Sequence, residues 1–215
     1  MRPLLWLGLV TATLVGPATA QKAEIQAYLG SAASLPLPIS IVQRGQPDLN
    51  FTARWTTRPT RPAMYYALRF GLWSGNRGWR LDYTHHKIYL ENPPPEVQQF
   101  RITNGFNILT IGRAYRSNNL TYGFGAGPVF SYPYNEVRRR ELDHDQGLGG
   151  YILSGGSVMG TVSRDIPLTG GLVLNLDVRA SASFVRVPVV DGHASVPNAA
   201  LHLHGGLGYL FGKRR

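Results

Sequence analysis

The chain has 215 residues, contains no cysteine and carries a formal net charge of +10. The lack of cysteine excludes a disulfide framework and any thiolate metal site. With 25 glycines, 15 prolines, 11 tyrosines and only 16% charged residues, the composition is typical of many short strands joined by turns and not of a helical soluble domain.

Residues 1–20 have the pattern of a cleaved secretory signal. An apolar run from Leu4 to Val15 precedes the small residues Ala18-Thr19-Ala20, which predict cleavage after Ala20. The run is shorter than the roughly 20 residues of a transmembrane helix, and no later stretch is long and apolar enough. Because export separates the chain from nucleic acid, we expect its many arginines to meet lipopolysaccharide phosphates or to line a lumen.

Alternation with period two is the strongest signal in the rest of the chain. Within 120–132, 171–187 and 198–211, apolar residues share one face and small or polar residues share the other. Applied to the whole chain, the pattern predicts eight strands, at 49–57, 64–73, 77–90, 105–115, 119–132, 149–164, 171–187 and 198–211. Short turns at 74–76, 117–118 and 167–170 alternate with longer connections at 91–104, 133–148 and 188–197.

Residues 21–48 follow the pattern less clearly. Glu24–Gly30 and Ile39–Gln43 could add two strands and bring the total to ten, or the segment could be a periplasmic lead or a plug. We prefer eight strands. The chain then divides into a signal at 1–20, an N-terminal segment at 21–48, a barrel at 49–211 and a basic tail at 212–215.

The alternation fits both a soluble exported β-sandwich and a membrane barrel. Strands of 10 to 16 residues, aromatic residues near strand ends and connections of alternating length favour the barrel. The aromatic residues expected at the membrane interfaces are Trp55, Trp73, Trp79, Tyr132, Tyr151, Tyr209 and Phe211. We therefore predict an all-β, closed, antiparallel, up-and-down transmembrane β-barrel with both chain ends on the periplasmic side.

The last strand carries the most specific resemblance. Leu201-x-Leu203-x-Gly205-x-Leu207-x-Tyr209-x-Phe211 is similar to the terminal signal of the small outer-membrane β-barrel superfamily, which contains the OmpA/OmpX-type and opacity-type barrels. The resemblance implies a place in the outer membrane of a Gram-negative cell envelope and recognition of Leu201–Phe211 by the barrel-assembly machinery. Members usually end on that aromatic residue, whereas Gly212-Lys213-Arg214-Arg215 follows here.

A weaker resemblance is to outer-membrane lipid A deacylases, which use a His-x-Ser pair and a glutamate. His193-Ala194-Ser195 matches the pair, but no glutamate follows Ser195, and Asp191 is too close in sequence to orient the imidazole. We therefore expect a non-enzymatic structural or surface-interaction protein. A deacylase-like acyl hydrolase using His193 and Ser195 is the first alternative, and a small channel is the second.

The polar strand faces predict a charged barrel interior. An eight-stranded barrel is narrow enough for side chains to fill, and buried charges must be paired, so a filled interior is favoured over an open pore. His202 and His204 could share a metal ion, but no third ligand is fixed by spacing, and we expect no metal or cofactor. The predicted lumen cluster is Arg54, Arg69, Arg80, Asp82, His86, Asp177, Arg179, His202 and His204.

One outer connection has a run of three arginines. Arg138, Arg139 and Arg140 lie among acidic residues in the loop at 133–148. Arginine matches phosphate oxygens with two parallel hydrogen bonds. This loop is therefore a candidate site for sugar phosphates outside the cell.

Overall fold

The computed structural model describes residues 22–142 and 149–212. The predicted signal at 1–20, residues 143–148 of the acidic and basic loop, and residues 213–215 of the basic tail lie outside the described residues. In the described part of the chain no helix is long and apolar enough to cross a membrane. The strands are β1 Lys22–Ser34, β2 Leu37–Gln43, β3 Leu49–Ala53, β4 Trp55–Thr56, β5 Tyr66–Ser74, β6 Arg77–Leu90, β7 Val97–Ser117, β8 Leu120–Val137, β9 Arg140–Glu141, β10 Ile152–Pro167, β11 Leu172–Val189 and β12 Gly192–Leu210.

Eight strands form a closed ring in the order β1-β5-β6-β7-β8-β10-β11-β12. The ring closes because β12 pairs with β11 on one side and with β1 on the other, from Glu24 opposite Leu210 to Ser34 opposite Ala200. Neighbouring strands in the ring are antiparallel, and each follows its predecessor up or down. The predicted all-β, up-and-down fold with eight ring strands is confirmed.

The first ring strand differs from the sequence-based interpretation. Lys22–Ser34 occupies this place, whereas 49–57 was expected to do so. The predicted strand at 49–57 exists as β3 and β4, but β3 pairs only with β2, and β4 pairs with the far end of β6. Segment 21–48 thus supplies a ring strand and the first half of an outer hairpin, instead of a periplasmic lead or plug.

The outer surface of the ring is an apolar band. Along β11 the outward residues run from Leu174 to Phe184, and ten residues at about 3.3 Å each, tilted by about 40°, rise about 25 Å. This is about the height of the apolar band on a membrane barrel. Outward apolar residues of this band include Ile25, Leu29, Leu68, Phe70, Leu81, Ile111, Phe124, Val158, Val178, Leu201, Leu203 and Leu207.

The polarity of the two strand faces reverses above this band. In the lower part of β11 the inward residues are polar, as at Asp177 and Arg179. From Val185 onward the inward residues are apolar and fully buried, while the outward Arg186 is exposed. Such a reversal is expected where a strand passes from lipid into water, since it must then bury its apolar face inside.

The strands continue as paired β-structure beyond the band. The connection predicted at 188–197 is instead a tight hairpin, in which Val189 pairs with Gly192 and Asp191 adopts a φ of 57°. Much of the predicted connection at 91–104 belongs to β7, which begins at Val97. At the opposite end the predicted short turns are present, for example where Ser117 pairs with Leu120. We call the part of the molecule above the band the outer extension.

Two of the predicted interface aromatics lie inside the molecule. Trp79, Tyr151, Tyr209 and Phe211 are between 40% and 48% exposed on the outer surface, and Tyr132 contacts Tyr151 there. Trp55 is buried in the outer extension and Trp73 at the opposite end of the barrel, next to the short turns. Gly78 accommodates Trp73, because a Cβ at this position would lie 2.7 Å from the indole ring.

Candidate functional site

The lower half of the barrel interior holds a network of ion pairs. Asp177 of β11 binds Arg69 of β5 at 3.0 Å and its own strand neighbour Arg179 at 2.5 Å. Arg69 also donates from Nε to Asp82 of β6 at 2.6 Å. These four residues are nearly inaccessible to solvent, so each charge depends on its partners for the solvation that water would otherwise supply.

A second part of the network lies closer to the end of the barrel with the short turns. The two carboxylate oxygens of Glu24 bind different arginines, Arg80 of β6 at 3.1 Å and Arg116 of β7 at 2.6 Å. Glu24 is fully buried, and Arg116 packs its guanidinium over the Trp73 ring at 3.7 Å. Arginine and carboxylate charges therefore nearly balance along the lower interior.

The network spans the full width of the barrel. In the ring order β6 and β11 are four strands apart in either direction and thus lie opposite each other. Arg179 of β11 donates from Nη1 to Thr84 Oγ1 of β6 at 2.9 Å, and its Nη2 lies 3.5 Å from Asp82 Oδ1. These contacts join opposite walls of the barrel across the lumen.

A layer of histidine and tyrosine lies beside these charges. The Tyr65 hydroxyl is 2.8 Å from His202 Nδ1 and 2.9 Å from His204 Nε2, and the rings of Tyr65 and His204 stack. Ser181 completes the hydrogen bonding of His202 at Nε2. His86 packs edge-on against His202, with 5.0 Å between ring centroids. Each ring nitrogen of His202 thus has a hydroxyl group as its hydrogen-bond partner. Among the described residues, no group of three or more metal-ligating side chains is arranged to hold an ion.

The upper half of the interior is apolar. Phe106 and Ile108 of β7 face Val185 and Val187 of β11 in a single buried cluster. The cluster extends into the outer extension, where the rings of Trp55 and Phe100 lie 6.0 Å apart. Its other buried members are Ile39, Ile41, Ala53, Ile88, Val97, Ile102, Val129, Val137, Met159, Val189, Ala194 and Val196. A hydrophobic plug therefore sits on top of the polar network.

Eight of the nine residues predicted to line the lumen are buried inside the barrel. They are Arg69, Arg80, Asp82, His86, Asp177, Arg179, His202 and His204. Arg54 is not among them: it is exposed in the outer extension, and its backbone N–H donates to Asn92 at 2.7 Å. The prediction for Arg54 failed because the inward positions on either side of it, Ala53 and Trp55, belong to a water-surrounded part of the fold.

The sequence-based prediction missed several interior residues that take part in these contacts, among them Glu24, Tyr28, Tyr65, Thr84 and Arg116. Glu24 and Tyr28 were missed because segment 21–48 was kept apart from the barrel. Their signal is visible afterwards, since Glu24, Gln26 and Tyr28 alternate with apolar residues just as the recognised strands do. The signal for Tyr65 is also visible afterwards, since it lies in the predicted strand at 64–73 in phase with the inward Arg69. In the structure it precedes β5 and reaches the histidines from an irregular segment.

The predicted alternative catalytic pair lies on the outside of the molecule. His193 and Ser195 are partly exposed neighbours on the outward face of β12, where β12 pairs with β2. Arg186 donates to His193 Nδ1 at 2.9 Å. A catalytic histidine needs a carboxylate at this nitrogen, whereas here a guanidinium donates to it. Asp191, the nearby acid, is paired with Arg140 at 2.7 Å.

The three consecutive arginines do not converge on one point. Arg138 donates to Gln43 Oε1 at 2.6 Å and to the Pro47 carbonyl at 2.7 Å, which fastens the β2–β3 hairpin to β8. Arg140 is paired with Asp191, and Arg139 is exposed. Arg138 and Arg139 have φ of 54° and 59° and form the turn between β8 and β9. The triplet therefore links three hairpins instead of forming a single phosphate cradle.

No protein family and no curated protein sequence matches the chain. Solved structures match in fold. The outer membrane protein OprG from Pseudomonas aeruginosa is 11% identical over 90% of this chain and 96% of its own, with a TM-score of 0.47. The outer membrane protein AlkL is 13% identical over 94% and 97%, with a TM-score of 0.47. The outer membrane protease OmpT from Escherichia coli is 12% identical over 89% and 96%, with a TM-score of 0.43. In its eight-stranded ring and apolar outer band, the chain is similar in architecture to the small outer-membrane β-barrels.

Proposed function

We propose that this protein is a non-enzymatic component of a bacterial outer membrane, in which a closed barrel anchors the outer extension for a structural or surface-interaction role. The observation that carries the proposal is the bond of Arg179 to Thr84 across the lumen, beneath the apolar plug. A barrel filled by a polar network and an apolar plug holds its strands rigidly and conducts ions poorly. The side chains that a partner can reach therefore lie on the outer surface of the molecule.

The outer extension supports a role in surface contact because it is built to be stiff. It has a buried apolar core of its own, and Arg138 ties the β2–β3 hairpin to β8. A preorganised surface loses little conformational entropy on binding a partner. We expect the partner-binding surface to lie here.

The apolar band and the last strand support the proposed location and route of assembly. Contact between the apolar band and lipid costs no free energy, whereas in water the band would be a continuous exposed apolar belt. Strand β12 closes the ring by pairing with β1, and its outward residues Leu201 to Phe211 alternate as a barrel-assembly signal requires. We infer that the barrel-assembly machinery recognises Leu201–Phe211 and that lipopolysaccharide surrounds the finished barrel.

Two measurements test this function. The envelope of cells expressing the full chain is fractionated, and the outer-membrane fraction is run on SDS gels with and without boiling. We expect a band in this fraction that shifts on boiling, as a closed barrel does. Recovery in the soluble periplasm without a shift would replace the barrel with a soluble sandwich.

The second measurement is planar-bilayer recording of the purified protein. We expect no conductance above that of the bilayer alone, because the ion pairs and the apolar plug fill the lumen. Discrete conducting steps from the folded, heat-shifting protein would favour the small channel instead. The gel separates this outcome from a preparation that never folded.

A further inference from the structure

A cluster of positive side chains lies on the outer wall of the barrel, just above the apolar band. Arg58 and Arg61 come from the irregular segment between β4 and β5, and their guanidinium carbons lie 4.7 and 5.9 Å from the centre of the Tyr89 ring. Arg101 of β7 lies 4.2 Å from the centre of the Tyr134 ring of β8. We call Arg58, Arg61 and Arg101 the wall arginines.

The strand register shows that these groups share one face. Tyr89 pairs with Arg101, and Arg101 pairs with Tyr134, so the three lie side by side across β6, β7 and β8. The neighbours Ile88 and Ile102 belong to the buried inner cluster. The intervening side chains Tyr89 and Arg101 therefore point out of the barrel.

Lys87 holds the irregular segment in place. Its ammonium donates to the Arg61 carbonyl at 2.5 Å and more weakly to the Arg58 carbonyl at 3.4 Å, and the lysine is fully buried. These bonds fix the backbone from which Arg58 and Arg61 project. The cluster is thus a built feature of the wall and not a chance meeting of mobile side chains.

The wall arginines have few acidic neighbours. Among the described residues, 22–142 and 149–212, no carboxylate lies within ion-pair distance of Arg58, Arg61, Lys87 or Arg101. The acids on this face are Glu136, two residues after Tyr134 on β8, and Glu141, which accepts a hydrogen bond from the Tyr134 hydroxyl. This hydrogen bond raises the pKa of Tyr134. Like charges without a paired carboxylate repel one another and favour an anion from outside the chain.

The position of the cluster indicates the kind of anion. Directly below it, at the top of the apolar band, a group of tyrosines faces outward: Tyr66 contacts Tyr83, and Tyr132 contacts Tyr151. Aromatic rings of this kind mark the boundary between acyl chains and headgroups. A phosphate attached to a lipid in the outer leaflet would lie at the level of the wall arginines.

We propose that the wall arginines bind a phosphate on the sugar headgroup of an outer-leaflet glycolipid, whose acyl chains pack on the apolar band beneath Tyr66 and Tyr83. Guanidinium groups bind phosphate oxygens with paired, charge-assisted hydrogen bonds, and basic clusters at membrane surfaces select anionic lipids. This site rests on the proposed outer-membrane location. It differs from the loop of Arg138 to Arg140, whose side chains are used to join hairpins.

The test compares two triple variants of the full mature chain, folded in detergent micelles. In the first, Arg58→Gln, Arg61→Gln and Arg101→Gln remove the wall arginines. In the matched control, Arg77→Gln, Arg113→Gln and Arg164→Gln remove three outward charges from the periplasmic half, including Arg113, which packs over Trp79 at 4.7 Å. Lys87 is kept in both so that the irregular segment retains its support.

Native mass spectrometry then measures binding of lipid A with two phosphates, of the same lipid A lacking one phosphate, and of inorganic phosphate. We expect the first variant to bind the doubly phosphorylated lipid at least about tenfold more weakly than the wild type, and the control to bind as the wild type does. We also expect wild-type binding to weaken when one phosphate is removed, and inorganic phosphate not to compete.

Three outcomes would overturn the site. Equal binding by the wall-arginine variant would show that these residues do not hold the lipid. An equal loss in the control would indicate general attraction between charges. Competition by inorganic phosphate at similar concentration would indicate a free-anion site. The heat shift on gels, measured for every variant, reports folding independently, so failure of the lipid site leaves the proposed function standing.

Discussion

Arg179 and Thr84 face each other from opposite sides of the barrel, with 2.9 Å between the guanidinium Nη1 and the hydroxyl oxygen. Arg179 is fully buried and also binds Asp177 and Asp82. This one side chain therefore joins two strands that share no backbone hydrogen bond. Its hydrogen bond connects opposite walls of the barrel directly across the lumen.

Replacing Arg179 by Ala should lower the free energy of unfolding by about 3–5 kcal/mol, because it leaves Asp177 and Asp82 short of a buried cation. Urea unfolding of the micelle-folded chain, followed by tryptophan fluorescence, measures the change. The exposed Arg77→Ala provides the control and should change stability by less than about 0.5 kcal/mol. A similar small effect for Arg179→Ala would contradict the structural role of the network.

The pair of variants Asp177→Asn and Arg179→Gln tests whether charge or shape matters. The double variant removes one charge of each sign and should recover part of the stability lost by Arg179→Gln alone, since no isolated charge is created. The readout is the coupling free energy in a double-mutant cycle. Strict additivity of the two single changes would mean that the two residues do not act as a pair.

Glu24→Gln should also destabilise the barrel by about 3–5 kcal/mol, because Arg80 and Arg116 share this carboxylate inside the lower interior. Asp48→Asn, an exposed acid in the turn between β2 and β3, is the matched change and should be neutral. The concentration of urea at the unfolding midpoint would be compared for the two. If both shift it equally, the effect comes from net charge and not from the Glu24 pairs.

Arg138→Ala should loosen the β2–β3 hairpin without opening the ring, because it removes the hydrogen bonds to Gln43 and Pro47. Losing about 1.4 kcal/mol there corresponds to about tenfold faster amide hydrogen exchange. Exchange mass spectrometry of peptides covering 37–53 measures it. Arg139→Ala, next in sequence and exposed, should leave exchange unchanged; a matching increase would argue against the specific link.

Ser195→Ala should have no effect on lipid A. The guanidinium of Arg186 occupies the nitrogen of His193 at which a catalytic acid would be needed. Mass spectrometry of lipid A from cells expressing wild type, Ser195→Ala or an empty vector should give the same acyl pattern. Loss of an acyl chain only with the wild type would establish the hydrolase instead.

Most of the ring strands were predictable from the sequence, and the rest of the fold much less so. On β8 and β11, period-two alternation in a single phase predicted both the strands and the inward position of Asp177 and Arg179. The same reasoning placed Arg54 and Trp55 wrongly, because it assumed that the outward side chains face lipid along the whole length of every strand. Residues 188–197 were predicted to be a connection, yet Pro188 and Pro197 lie within long paired strands.

The reversal of polarity along β11 also predicts how deeply the proposed membrane barrel would sit in a bilayer. On β11 the change falls between Ser183 and Val185 on the inner face and between Phe184 and Arg186 on the outer face. This position would mark the water line, so the residues of the strand itself would set the immersion depth. Shifting that mark by two residues on several strands would lift or sink the barrel by about one residue pair, roughly 5 Å along the membrane normal.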